Sequence, residues 1–180
     1  MIKLPTLQSM FQTFEREAFR LEKREIYKID DEWKLYQKFI QGEHVLEIPS
    51  EKEFRDLIAS DTKKGKVHRR VRVVPAELND YIKFEIKLAY LKQIKIGHKI
   101  YFITKSEFNK LIPSNFHPGD FYLFDDKNVI KLNYTSKGEF LGTESIEDEN
   151  SLNRYIELKK LLLKKVIPLE KWLSIKNIEL

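Results

Sequence analysis

The feature that most constrains the fold is a strand–helix–strand pattern between residues 66 and 104. The stretch KVHRRVRVV has the β-branched enrichment of a strand, and Pro75 ends it. A helical pattern follows from about Asn79 to Ile94, Gly97 ends it, and KIYFIT reads as a second strand. The connection between the two strands, residues 75–98, has room for a crossover helix, as in a βαβ unit. The two strands are therefore predicted to be parallel.

Three further strands are predicted downstream of this unit. They are the turn-bounded segments DFYLFD, NVIKLNY and EFLGTESI, and the connections between them are DDKN and SKG. Because connections this short join antiparallel neighbours, the three strands are predicted to form a meander.

The N-terminal region is predicted to be mostly helical. A first helix starts at a capping box of Ser9 and Gln12. Its apolar residues recur at helical spacing, and they are Phe11, Phe14, Ala18 and Leu21. A strand is predicted at EIYKI and helices at DDEWKLYQKFI and SEKEFRDLIAS, the latter with a capping box of Ser50 and Glu53.

Two helices are predicted at the end of the chain, one from Glu147 to about Val166 and a short one that starts at Pro168 and contains Trp172. The expected fold is a single α+β domain whose mixed sheet combines the βαβ unit with the meander. Residues 1–62 form a helical N-terminal region, 63–146 the sheet core and 147–180 the C-terminal helices.

Composition and charge exclude several classes of protein. Cysteine is absent, which excludes disulfides, thiolate metal sites and a cysteine nucleophile. No apolar run approaches the length of a membrane span, and MIKLPTLQSMFQTFERE lacks the layout of a secretory signal, so a cytoplasmic protein is expected. The net charge of +5 permits an acidic partner without requiring one, because 28 acidic residues are interspersed among 33 basic ones. The dense basic patches are Lys63–Arg72 and Lys159–Lys165.

The arginines of HRRVRVV are the first candidate site. Side chains alternate along a strand, so Arg70 and Arg72 face one side and Arg69 the other. Two guanidinium groups on one face suit the recognition of phosphate or carboxylate. The alternatives are a solvent-facing strand or ion pairs with Asp80 and Glu85 of the next helix, where an apolar face around Glu85 requires a charged partner.

The acidic cluster in HPGDFYLFDD is the second candidate. Asp120 lies at the start of a strand and Asp125 at the hairpin after it, where carboxylates hold a metal, act as general bases or serve as ordinary turn residues. No metal site or cofactor is expected. The four histidines lack ligand spacing and are expected to be surface or hydrogen-bonded residues, and no phosphate-binding glycine loop or nucleophile elbow occurs.

Several segments in a fixed order resemble a known family. They are FQTFEREAFRLEKREIYKI, FIQGE, RVRVV, NDYIKFE, IGHKIYFI and GDFYLFDD. They look like an uncharacterised bacterial family, a domain of unknown function that is best populated in actinobacteria, and the similarity runs through about residue 145. Matching positions are Phe14, Ala18, Leu21, Glu22, Arg70, Arg72, Asp80, Tyr81, Glu85, Gly97, Asp120, Phe121 and Asp125. Tyr122 stands where tryptophan is commoner in the family, which weakens any role for an indole there.

The resemblance implies a regulatory or mobile-element context, since members of that family are often encoded beside helix-turn-helix regulators. It also brings six polar positions into one pattern, namely Arg70, Arg72, Tyr81, Glu85, Asp120 and Asp125. We predict that these residues form one polar cluster at the strand ends, which either orders the fold or binds a small anionic ligand.

Three functions fit these observations. The first is a non-enzymatic regulatory or interaction module that works with a helix-turn-helix partner and senses a small anionic ligand. The second is a toxin-like enzyme in which Arg70 and Arg72 hold the phosphate of a nucleotide or nucleic acid and Glu85 or Asp120 acts as the acid–base group. The third is direct nucleic-acid binding through the basic faces, with a steep salt dependence.

Overall fold

Seven strands form one sheet in the computed structural model, which describes residues 6–178 of the chain. They are β1 (Glu17–Glu22), β2 (Val67–Val74), β3 (Lys99–Thr104), β4 (Asp120–Phe124), β5 (Asn128–Tyr134), β6 (Phe140–Ile146) and β7 (Ile167–Pro168). Their order across the sheet is β6-β5-β4-β1-β2-β3-β7. Strands β1, β2 and β3 are parallel, whereas every other neighbouring pair is antiparallel. The predicted α+β class, the parallel β2–β3 unit and the meander are confirmed.

The helices occupy both faces of the sheet. They are α1 (Leu7–Thr13), α2 (Asp30–Ile40), α3 (Pro49–Lys63), α4 (Asp80–Glu85), α5 (Leu91–Ile94), α6 (Lys105–Leu111), α7 (Glu149–Leu163) and α8 (Leu169–Lys176). Helices α4 and α5 are joined by a π-helical segment, Ile86–Tyr90, so the predicted helix after β2 is continuous but not uniformly α-helical. Within residues 6–178, no helix is both long and apolar enough to cross a membrane.

The prediction of one helix through Leu21 is wrong. Helix α1 ends at Thr13, and its capping box pairs Thr6 with Ser9 instead of Ser9 with Gln12. Residues 17–22 form β1, which lies between β2 and β4 in the middle of the sheet. Pairing on both sides overrides the helical spacing. The sheet core therefore includes a segment of the N-terminal region that was predicted to be helical.

Other local predictions also need correction. EIYKI forms no strand, and Tyr27 within it is instead buried against the sheet. The helix predicted at SEKEFRDLIAS is confirmed as α3, but it has no side-chain cap and begins with Pro49 in its first turn. Helix α6 and strand β7 were not predicted. The predicted terminal helices are confirmed as α7 and α8.

The two faces of the sheet differ in chemistry. One face is apolar and packs under α6 and α7. Its sheet residues include Phe19, Leu21, Val71, Val73, Phe121 and Leu123. On the opposite face, two apolar clusters lie toward β3 and toward β5, and charged side chains fill the space between them. Because buried charges require partners, this charged layer is the first place to look for a functional site.

Candidate functional site

The charged layer, hereafter the ionic network, comes from three adjacent strands. Arg20 and Glu22 of β1 lie in register with Arg70 and Arg72 of β2, and β4 adds Asp120 on the other side of β1. Every second residue of a strand faces the same side, so these side chains converge. All five are at most 7% exposed.

Glu22 is the centre of the ionic network. Its carboxylate lies 3.4 Å from Arg20 Nε, 3.7 Å from Arg70 Nη1 and 3.6 Å from Arg72 Nη1. The Tyr90 hydroxyl donates a hydrogen bond to it at 3.0 Å. Three guanidinium groups converge on one carboxylate, so no single pair in the network is independent of the others.

Arg72 forms the ion pair with Glu85 that the sequence favoured as one alternative. Arg72 Nη2 donates to Glu85 Oε2 at 2.7 Å, and the Arg72 side chain is fully buried. Its guanidinium also lies 4.9 Å from the centroid of the Tyr27 ring, a cation–π distance. The alternative partner Asp80 is exposed and instead lies 3.5 Å from Lys83. An external anion would reach Arg72 only by displacing a buried carboxylate.

Two other predicted site residues join the same layer. The buried Tyr81 hydroxyl donates to Glu32 of α2. Asp120 accepts the Tyr27 hydroxyl proton and, at 3.1 Å, the backbone N–H of Lys23. Asp120 Oδ2 also lies 3.6 Å from Arg20 Nη2, which ties β4 to β1.

Asp125 does not belong to the predicted cluster. It lies at the opposite end of β4 from Asp120, in a left-handed conformation with φ 55°. Its carboxylate accepts the backbone N–H groups of Glu15, Arg16 and Glu17 at 2.7–2.8 Å. These bonds hold the chain that enters β1, so the arrangement of Asp125 is that of a structural turn residue.

Sequence reasoning missed the roles of Arg20, Glu22, Tyr27 and Tyr90. The cause for Arg20 and Glu22 is that the segment of β1 was predicted to be helical, so neither residue was assigned to a face of the sheet. The signal was present in AFRLE, where Phe19 and Leu21 alternate with the two charged residues as in a half-buried strand.

The carboxylates of the ionic network have unequal proton affinities. The three arginines lower the pKa of Glu22 to about 2 against the opposing effect of its burial. Burial raises the pKa of Glu85 to about 8 although Arg72 lies beside it, and burial raises that of Glu32 to about 7. Glu22 and Glu85 both contact Arg72 and Tyr90. Because the pKa of Glu85 is the higher of the two, Glu85 is the carboxyl group that is protonated near neutral pH.

We expect the free energy of unfolding to fall on both sides of about pH 5. The pKa of Glu85 rises from 4.5 unfolded to about 8 folded, so its contribution is complete below pH 4.5 and is lost as pH rises through 8. The pKa of Glu22 changes oppositely, so its contribution is lost as pH falls from 4.5 toward 2. Urea unfolding across this range measures both limbs, and a profile that stays flat above pH 5 would contradict the assignment to Glu85.

An open cleft of about 620 Å³ lies beside the ionic network, at the carboxyl ends of β1 and β3. The segment after β1, the first residue of α6, the start of β4 and the end of β5 form its walls. Ligands of open α/β sheets commonly bind at the carboxyl ends of parallel strands. Here the carboxyl end of β1 meets the start of its antiparallel neighbour β4, and the cleft lies between them.

The cleft is strongly basic. Five of its side chains are cationic, namely Lys23, Arg24, Lys28, Lys105 and Lys137, whereas Glu25 and Asp120 are its two acidic residues. Of the acidic residues, Glu25 lies 3.4 Å from Lys105, and both oxygens of Asp120 accept hydrogen bonds from the protein. Five cations against two carboxylates leave a net charge of +3 on the cleft, and the resulting positive potential suits an anion.

Two residues connect the cleft to the ionic network. Asp120 lines the cleft, and its Oδ2 lies 3.6 Å from Arg20 Nη2. Tyr134 also lines the cleft, and its hydroxyl lies 3.4 Å from the same nitrogen. Arg20 in turn contacts Glu22. A ligand in the cleft would thus lie one side chain away from the buried charges.

The histidines form no catalytic or metal-binding arrangement. His68 lies 2.8 Å from Asp61 and His98 2.9 Å from Gln93, both buried, while His44 and His117 are exposed. The interpretation of all four as surface or hydrogen-bonded residues is confirmed. Among residues 6–178, no group of three or more His, Asp or Glu side chains is arranged to hold a metal ion.

Comparison with known proteins agrees with the segment pattern of the sequence. None of the curated proteins compared with this chain is significantly similar to it. A family model, described as a domain of unknown function (DUF6879), matches residues 5–174. That match includes all seven strands and nearly all of α8, so the chain belongs to the DUF6879 family.

Proposed function

We propose that the protein is a non-enzymatic regulatory module that binds a small anionic ligand in the basic cleft. The observation that carries this proposal is the set of five cations around a cleft of about 620 Å³. A volume of roughly 300–1,000 Å³ is typical of small-molecule sites. The cations come from segments distant in sequence, so a bound anion would bring the ends of β1, β3 and β5 together.

The predicted binding role of Arg70 and Arg72 is replaced in this proposal by a supporting one. Both side chains are buried, and neither lines the cleft. Of the six predicted residues, Asp120 alone borders the cleft within the described chain, and its carboxylate holds the backbone N–H of Lys23. The ionic network therefore holds the backbone segment that carries basic side chains of the cleft, through the hydrogen bond from Lys23 N–H to Asp120.

Inorganic pyrophosphate is expected to raise the melting temperature of the protein. The test variant replaces three cleft lysines of different segments with alanine, namely Lys28, Lys105 and Lys137. Their removal is expected to weaken binding about tenfold or more, equivalent to about 1.4 kcal/mol or more, as measured by isothermal titration calorimetry. A matched variant removes the same charge at the exposed Lys64, Lys87 and Lys171, none of which lines the cleft.

The two variants separate a site from general electrostatics. Binding that survives in the matched variant but is lost in the cleft variant supports the proposal. Equal weakening in both variants would mean that pyrophosphate responds only to net charge, and no shift in the wild-type protein would overturn the proposal.

A helix-turn-helix regulator is the proposed partner. The family context implied by the sequence supports this partner, and an apolar groove between α6 and α7 provides a surface for contact. Leu111, Pro113 and Phe116 line the groove with Leu161, which is 40% exposed. Leu161→Glu should abolish co-purification with the regulator while leaving the melting temperature unchanged. Retained co-purification would exclude the groove.

The competing proposal is an enzyme that acts on nucleotide or nucleic-acid phosphate. Glu85 is buried and paired with Arg72, and both oxygens of Asp120 already accept hydrogen bonds, which leaves neither poised over a reacting group. Direct nucleic-acid binding is also disfavoured, because Lys159 of the basic C-terminal stretch is buried against Glu17 and Asp126. Release of phosphate from a nucleoside triphosphate, lost on Asp120→Asn, would favour the enzyme instead.

A further inference from the structure

We infer that the anion is the phosphate group of a nucleotide whose base stacks on Phe140 at the edge of the cleft. This inference rests on the proposed anion-binding function and adds the ligand class. Phe140 is the first residue of β6, the edge strand of the sheet, and it is 50% exposed. An aromatic ring exposed beside a cationic cleft is the combination by which proteins hold nucleotide bases and phosphates together.

The position of Phe140 is defined by the strand before it. Its ring lies 5.5 Å from the ring of Tyr134, which lines the cleft, and the two residues are cross-strand partners at a bulge of the β5–β6 pair. Gly138 permits the tight return between the strands, because its φ is +92° and a Cβ atom at this position would lie only 2.8 Å from the carbonyl oxygen of Ile26. The turn is thereby held against the segment after β1, which carries the cations.

Arg24 joins the aromatic and the cationic sides of the site. Its guanidinium lies 5.8 Å from the centroid of the Tyr134 ring and donates to the carbonyl oxygen of Ser136 at 2.8 Å. Arg24 Nε is buried and has no hydrogen-bond partner among the described residues. A planar cation in this position can contact a phosphate oxygen on one side and lie beside a base on the other.

The volume of the cleft and the positions of its cations favour a mononucleotide over a nucleic-acid strand. The cleft has the volume of a small-molecule site, and the cations around it are confined to the loop after β1, the start of α6 and the turn before β6. Lys159 of the basic C-terminal stretch lies near the first residue of β1, at the opposite end of that strand from the cleft, and donates to Glu17 and Asp126. A single nucleotide therefore fits the charge distribution, whereas successive phosphates of a strand would lack contacts.

The test compares adenosine diphosphate with pyrophosphate by calorimetry on the full chain. The wild-type protein is expected to bind adenosine diphosphate about tenfold more tightly, because stacking of the base on Phe140 adds to the contacts of the phosphates. Phe140→Leu should remove that difference while leaving pyrophosphate binding unchanged. Leu141→Ala is the control, since Leu141 is 65% exposed but, as the next residue of the strand, faces the side opposite to Phe140 and its contact with Tyr134.

Each outcome separates this inference from the proposed function. Equal affinities for the two ligands in the wild-type protein, or a preference unaltered by Phe140→Leu, would overturn the inference and leave anion binding intact. Binding of neither ligand would overturn both. Tighter binding of a short oligonucleotide than of adenosine diphosphate, with a steep salt dependence, would also overturn the inference in favour of a nucleic-acid strand.

Discussion

Arg72→Ala is expected to lower the free energy of unfolding by about 3–5 kcal/mol, since it leaves the buried charge of Glu22 with one guanidinium fewer and the buried Glu85 carboxyl without its hydrogen-bond donor. Arg72 is fully buried, and its guanidinium contacts Glu85 at 2.7 Å and Glu22 at 3.6 Å. The substitution also removes the cation that lies against Tyr27. Two carboxylates and a ring would then border a cavity in place of a charge.

The same strand offers a matched control for this substitution. Arg69 lies on the opposite face, where its side chain is 21% exposed and pairs with Glu17 at 3.1 Å. Arg69→Ala should cost less than about 1 kcal/mol, as is usual for accessible ion pairs. Urea unfolding of both variants at pH 6 measures the contrast. Equal losses would show that the ionic network has no special importance for stability.

Glu22→Gln and Glu85→Gln are expected to differ strongly although both alter the same ionic network. Glu22 is the carboxylate on which three guanidinium groups converge, and its pKa of about 2 keeps it charged at pH 6. Its loss should cost about 3–5 kcal/mol, as for other broken buried pairs. Glu85 has a raised pKa of about 8, so it is protonated at pH 6, and the neutral glutamine replaces it at less than about 1 kcal/mol.

The order of the two variants tests where the proton lies. Urea unfolding at pH 6 should rank Glu22→Gln far below Glu85→Gln in stability, and Glu85→Gln should also reduce the alkaline limb of the pH profile to the part that Glu32 contributes. The reverse order would place the proton on Glu22. In that event the ion pair of Arg72 with Glu85 would be the principal one of the network.

The ionic network and the cleft have different proposed roles, but Arg20 belongs to both environments. It contacts Glu22 on the buried side and lies 3.6 Å from Asp120 and 3.4 Å from the Tyr134 hydroxyl on the cleft side. Variants that disturb the network therefore act on the fold first. For this reason the binding tests use Lys28, Lys105, Lys137 and Phe140, whose replacement leaves the buried charges in place.

Local patterns were sufficient where an element's own sequence determined its conformation. The β-branched run of β2, the start of a helix at about Asn79 and the turns between β4 and β6 were all predicted. An ion pair of Glu85 with an arginine of β2 was one of the alternatives, because a charged residue on an apolar helix face requires a partner, and the structure shows that this arginine is Arg72.

Long-range pairing decided what the patterns did not. Residues 14–21 carry apolar side chains at both helical and alternate spacing, and insertion of β1 between β2 and β4 selects the strand. That insertion places Arg20 and Glu22 beside Arg70 and Arg72, which no spacing within one segment reveals. It also places Asp120 beside Arg20 in the ionic network, whereas Asp125 follows the other end of β4 and holds the chain that enters β1.

The sequence by itself determined the fold class, the parallel β2–β3 unit and the meander, because hydrophobic periodicity and turn residues act over short distances. The order of its segments indicated the family by resemblance. Only the tertiary structure decided that the arginines are buried and that the basic cleft lies beside them. The cleft is built from segments that follow β1, β3 and β5, and its charge exists only where the sheet brings those segments together. A site of this kind depends on strand order, which no single stretch of the chain encodes.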